Sequence, residues 1–104
     1  MTARRGEVWL VDLGLAGKVR PALVVSIGYL DHERALVTVV PHTTALRGTR
    51  FEVRVNMHGI SDGAFDAQGV RPIPPTVLIR RLAVLPGAEL HRVEAAVRHW
   101  LQLP

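Results

Sequence analysis

Two apolar runs with polar ends set the terms for this fold. The first is Arg20-Pro21-Ala22-Leu23-Val24-Val25-Ser26. The second ends Val39-Val40-Pro41-His42-Thr43-Thr44. Each reads as a strand with a polar group at one end. If the two are antiparallel neighbours, the start of one lies beside the end of the other. A guanidinium and two hydroxyls then meet at one edge of a small barrel. Arg presents a planar fork of donors that suits phosphate oxygens, so this edge outlines a phosphate site.

The rest of the chain alternates short strands with turn signals, the pattern of an all-β barrel. Glu7 to Asp12 reads as the first strand and Gly14 to Lys18 as a loop. Arg20 to Ile27 is a second strand, nearly continuous in apolar residues and therefore central. Arg34 to Val40 is a third, followed by a loop from His42 to Gly48. Thr49 to Val55 alternates Phe51, Val53 and Val55 with Arg50, Glu52 and Arg54, as a half-exposed strand does. Ala64 to Gln68 reads as a short strand, and Gly69 to Pro75, with three prolines, as irregular. Thr76 to Leu85 is the last strand. From Pro86 the spacing changes: Leu90, Val93, Val97, Trp100 and Leu101 recur at three and four, which is one face of a helix. That helix is expected to lie across the barrel and bury Trp100.

Composition narrows the function. At 104 residues and 48% hydrophobic, the chain suits one domain with a single modest core. The expected layout is a barrel over about residues 5–85 and a helix over about 86–102. No apolar run approaches the roughly 20 residues of a membrane span. The basic start lacks a following signal-peptide core, so the expected location is the cytoplasm and no membrane partner is expected. There are no cysteines, which excludes disulfides, thiolate metal sites and a Cys nucleophile. No His-x-His or Glu-x-x-His cluster suggests a metal, and no cofactor motif appears. Thirteen Lys and Arg stand against nine Asp and Glu, and Lys18 is the only lysine. A basic balance points weakly to a polyanion.

Several blocks resemble the MazF/PemK-type toxins in the right order along nearly the whole chain. They are Arg5-Gly6-Glu7-Val8-Trp9-Leu10-Val11-Asp12-Leu13, Arg20 to Ser26, Val39 to Thr44, Ala67-Gln68 with Arg71, and Arg81-Leu82 before the amphipathic helix. The resemblance implies an SH3-like small barrel with a C-terminal helix, assembled as a homodimer. It implies a metal-independent endoribonuclease, the toxin of a toxin–antitoxin pair, that cuts single-stranded RNA at short sequences. The products would carry a 2′,3′-cyclic phosphate and a 5′-hydroxyl. The partner would be an acidic, MazE-like antitoxin. The family's catalytic Arg and Thr fall on Arg20 and Thr43. The chain departs from the family pattern at Thr44, which stands in place of Ser, and at Gly69 and Pro72. Its first loop is shorter than in many members and lacks the usual acidic residue before the Arg.

Read as chemistry, Arg20 stabilises charge on phosphoryl oxygens and Thr43 donates a hydrogen bond to one. Lys18, Thr44, Arg47 and Arg50 are candidate phosphate contacts, and Gln68 and Arg71 candidate base readers. Tyr29 and Phe65 are the plausible stacking platforms, while Trp9, Phe51 and Trp100 read as core or dimer residues. The general base stays open. Arg keeps its proton in proteins. His42 titrates near neutrality, but strand alternation points it away from the face carrying Thr43, so it reads as a surface or structural residue. Two rivals share the fold: a gyrase poison of the CcdB type, and a non-catalytic RNA- or protein-binding barrel.

Overall fold

The computed structural model describes residues 3–14 and 18–104. Leu15, Ala16 and Gly17 of the expected first loop lie outside the described residues. Among those described, seven strands and one helix follow in order: β1 (Glu7–Asp12), β2 (Val19–Val24), β3 (Val37–Thr43), β4 (Glu52–Val53), β5 (Ala64–Asp66), β6 (Arg71–Ile73), β7 (Leu78–Val84) and α1 (Gly87–Leu101). All pairings are antiparallel. The sheet runs β4-β5-β3-β2-β1-β7, with β6 also on β3. It curls in the manner of a small barrel without closing fully. The mainly-β fold with a C-terminal helix is therefore as the resemblance implied.

β2 sits between β1 and β3, and its apolar run explains why. Ala22, Leu23 and Val24 are all fully buried, which requires cover on both faces of the strand. Alternation then sorts the core into two clusters rather than the single one expected. Val8, Leu23 and Val40 form a cross-strand row on one face, packed with Phe65 and with Leu90 and Val93 of α1. Trp9, Val11, Ala22, Val24 and Val39 lie on the other face with Leu13 and Ile73.

β3 runs three residues further than expected, through Pro41 to Thr43. Proline inside a central strand is normally excluded. Here Pro41 falls where the second neighbour of β3 changes from β6, paired at Val37–Val39, to β5, paired at His42 and Thr43. A ladder already interrupted at that point tolerates it. The stretch with three prolines contains a strand after all, since Arg71–Ile73 pairs with β3.

The expected strand over Thr49–Val55 shrinks to Glu52–Val53. The Glu52 carboxylate turns back to accept backbone N–H groups of Arg47, Gly48 and Thr49. Those bonds hold the preceding loop and keep the carboxyl below its usual range. They also commit residues 47–49 to a turn instead of a ladder.

Helix α1 follows its periodicity only in part. Leu90 and Val93 are buried and Ala96 and Val97 half-buried. Trp100 is 43% exposed and Leu101 48% exposed, contrary to expectation. Trp100 makes an edge contact with Phe51, at 5.3 Å between ring centroids. Arg5 pins the helix by a bidentate pair to Glu94, with Nε–Oε2 at 2.6 Å.

Candidate active site

The site is assembled by register. Ala22 pairs with Pro41, and Leu23 with Val40. Continued two residues past the last ladder pair, the same register sets Arg20 opposite Thr43. Both share the face of Ala22, Val24 and Val39. On its other side Arg20 is held by β1, paired with Val11. The register therefore brings Arg20 and Thr43 to the same edge, where β2 begins and β3 ends.

Two hollows flank this edge. One, of about 260 Å³, is lined by Leu13, Arg20, Pro41, His42, Thr43, Asp66, Gly69 and Arg71. The other, of about 360 Å³, is lined by Lys18, Val19, Arg20, Pro21, His42, Thr44, Ile60 and Ser61. Arg20 and His42 border both. Arg20, Thr43 and Arg71 thus share one hollow, and Lys18 and Thr44 lie in the other with Arg20.

Local bonds orient these groups. The Thr43 hydroxyl oxygen accepts the backbone N–H of Ala45 at 3.1 Å, which leaves the hydroxyl proton free to donate. Arg71 donates from one guanidinium nitrogen to the Leu13 carbonyl at 2.8 Å. It therefore ties the end of β1 to the site and faces the hollow with its remaining donors. Asp66 accepts the backbone N–H of Gln68 at 3.1 Å, fixing the turn that brings Gly69 in. A Cβ at Gly69 would come within 2.7 Å of the Pro41 ring, so a side chain there would push this turn off β3. Gly63 is tighter still: its Cβ would meet the Thr43 carbonyl oxygen at 2.3 Å and His42 Cε1 at 2.7 Å.

Not every expected residue arrives. Arg47 lines neither hollow, and its backbone N–H belongs to the Glu52 loop. Gln68 is exposed and outside both, although its neighbours Gly69 and Asp66 are inside. Arg50 is drawn over the Phe51 ring, 4.8 Å from its centroid. Phe65 is fully buried and cannot stack on a base, and Tyr29 packs against the core. Trp9 and Phe51 are buried as expected.

His42 sits where strand alternation puts it, at the end of the sheet. Alternation does put it on the face opposite Thr43, edge-on to Phe65 with ring centroids 5.2 Å apart. It is buried, as a structural histidine would be. Yet the sheet ends here, and His42 is among the residues that line both hollows. Burial holds its pKa below the ordinary 6.5, nearby Arg20 lowers it further, and Asp62 opposes them. The ring is therefore neutral at pH 7.

The model of the PemK-like, MazF-like toxins of type II toxin–antitoxin systems matches residues 4–101. Among solved structures, an endoribonuclease from a mycobacterial species in complex with its cognate antitoxin superposes with a TM-score of 0.83. It is 25% identical, over 99% of this chain and 98% of that one. MazF from Deinococcus radiodurans gives 0.82 at 27% identity, over 99% of each chain. The MazE–MazF complex of the same organism gives 0.83 at 24% identity, over 100% of this chain and 99% of that one. With the family model spanning nearly its whole length, and with the fold shared, the chain belongs to the PemK-like, MazF-like toxin family of type II toxin–antitoxin systems.

Proposed function

We propose that this toxin is an endoribonuclease that cuts single-stranded RNA at the Arg20–Thr43 edge, without a metal. The observation that carries the reading is the convergence of Arg20, Thr43 and Arg71 on one hollow. Cleavage by the adjacent 2′-OH builds charge on the phosphoryl oxygens, and donors fixed in advance stabilise that charge. Arg20 offers a fork of N–H groups. Thr43 offers one O–H, freed by its bond from Ala45. Arg71 adds a second positive charge beside the substrate path. Lys18 and Thr44 extend the donors into the neighbouring hollow, along the course of an RNA backbone. The walls are mainly cations, hydroxyls and apolar groups, with Asp66 as the one carboxylate among the lining residues, and among the described residues no cluster of three His, Asp or Glu side chains forms.

The expected products follow from the chemistry. In-line attack by the 2′-oxygen leaves a 2′,3′-cyclic phosphate and a 5′-hydroxyl. The test is end-group analysis of fragments formed from a long mixed-sequence RNA in EDTA. Fragments that take a 5′-phosphate from polynucleotide kinase without prior dephosphorylation agree with the reading. No cutting by a folded protein across several RNAs would favour a non-catalytic binding barrel.

The partner is an antitoxin whose acidic segment competes with RNA for the basic edge. The toxin itself works in the cytoplasm as a homodimer. In support, β7 is an outer strand of the sheet with Ile79 and Val84 exposed, 50% and 63% respectively. Such an edge invites a second chain. Sedimentation of the purified toxin at micromolar concentration is expected to give the dimer mass; a monomer there would count against this assembly.

A further inference from the structure

Transesterification also needs a group that takes the 2′-OH proton, and Arg20 is a poor one because guanidinium keeps its proton. The hollows contain one better placed. His42 borders both of them, as Arg20 does. Its ring is clamped between the Phe65 edge and the backbone at Gly63, where even a methyl group would collide. Among the described residues no side-chain hydrogen bond engages the ring, and neither nitrogen is both sealed from solvent and unpartnered. A held imidazole that keeps its nitrogens accessible, on a residue that lines both hollows beside Arg20, is an arrangement that suits a proton acceptor.

We propose that His42 is the proton acceptor for RNA cleavage, a role that rests on the endoribonuclease reading above. A neutral His42 ring nitrogen takes the proton of the 2′-OH. The 2′-oxygen forms its bond to phosphorus while the bond from phosphorus to the 5′-oxygen breaks. The departing 5′-oxygen takes a proton from water. The imidazolium returns its proton to solvent, and no net proton is consumed. The charged groups around the ring are Arg20 from β2, Lys18 before it, Asp62 from the turn before β5, and Asp66 and Arg71 across the smaller hollow. Burial, and then Arg20, hold the ring neutral and ready to accept, and the cations stabilise the phosphoryl charge.

The test is single-turnover cleavage of a 5′-labelled RNA from about pH 5 to 8, with the His42 ring titrated by NMR in the folded wild type. The rate is expected to rise with pH through a midpoint below 6.5 and then level, and the NMR midpoint of His42 should coincide with it. His42→Gln is expected to lose about 100-fold in rate, and the inflection with it, while binding a 2′-deoxy version of the RNA as the wild type does. An inflection that survives in His42→Gln, or midpoints that disagree, overturns the role of His42 alone. Should His42→Gln fail to fold, the comparison of wild-type midpoints decides. A wild type that cuts no RNA overturns the endoribonuclease reading and this proposal together.

Discussion

Arg20→Ala is expected to cut RNA about 10³-fold more slowly than the wild type while folding normally. Arg20 is half-buried at the sheet edge, and its ladder pairing with Val11 of β1 is made by backbone. Removing the side chain therefore spares the ladder. What is lost is the donor fork facing the phosphoryl oxygens, an interaction made most strongly in the transition state. The loss should fall on the rate of the chemical step more than on RNA affinity, because Lys18 and Arg71 still attract the backbone. Arg20→Lys is expected to recover little of the rate. A lysine keeps the charge but presents a point donor in place of a bidentate one. Single-turnover rates and RNA affinities of the two variants check both statements.

Glu7→Ala is expected to destabilise the fold by about 2–4 kcal/mol, through loss of a buried carboxylate that serves several donors. Glu7 is 8% exposed. One of its oxygens accepts the Arg4 backbone N–H at 2.8 Å and the Trp9 indole N–H at 3.0 Å; the other meets Arg81 at 3.2 Å. Truncation leaves the Trp9 indole without its acceptor at a buried position. A drop in melting temperature of roughly 10–25 °C should accompany it. Burial by itself would push this carboxyl up, but the Arg4, Trp9 and Arg81 donors outweigh burial and hold it below the ordinary 4.5. The folded state then binds the proton less readily than the unfolded chain. This contribution is present above about pH 4.5 and is lost as pH falls through the lowered folded value. Acid titration of the wild type should show that loss, and Glu7→Gln should lack it.

The central edge was legible because it needs only adjacency. Polar ends on two apolar runs, paired antiparallel, bring Arg20 to Thr43 whatever the loops do. The barrel and the start of the helix were legible from periodicity. Trp100 was misread because periodicity marks a face of a helix and is silent on where the surface beneath it ends. Arg47 and Gln68 were misplaced because the Glu52 carboxylate and the Asp66 turn settle those loops, and neither bond has a sequence signature of its own. Phe65 looked like a stacking platform because a short strand does not announce that both its faces are covered. For His42 the alternation rule was right about the face. It missed that the sheet stops one residue later, so that both faces open onto one edge. Gly63 and Gly69 offered the one available hint, since neither occupies positive-φ backbone and both are explained only by close approach to β3.

The most direct measurement is cleavage of one long 5′-labelled RNA in EDTA by wild type, Arg20→Ala and Thr43→Ala side by side, with all three shown to be folded. Discrete cuts by the wild type, ending in cyclic phosphate and lost in both variants, are the predicted result. Cuts that persist at the wild-type rate in both variants would contradict it and place the chemistry elsewhere.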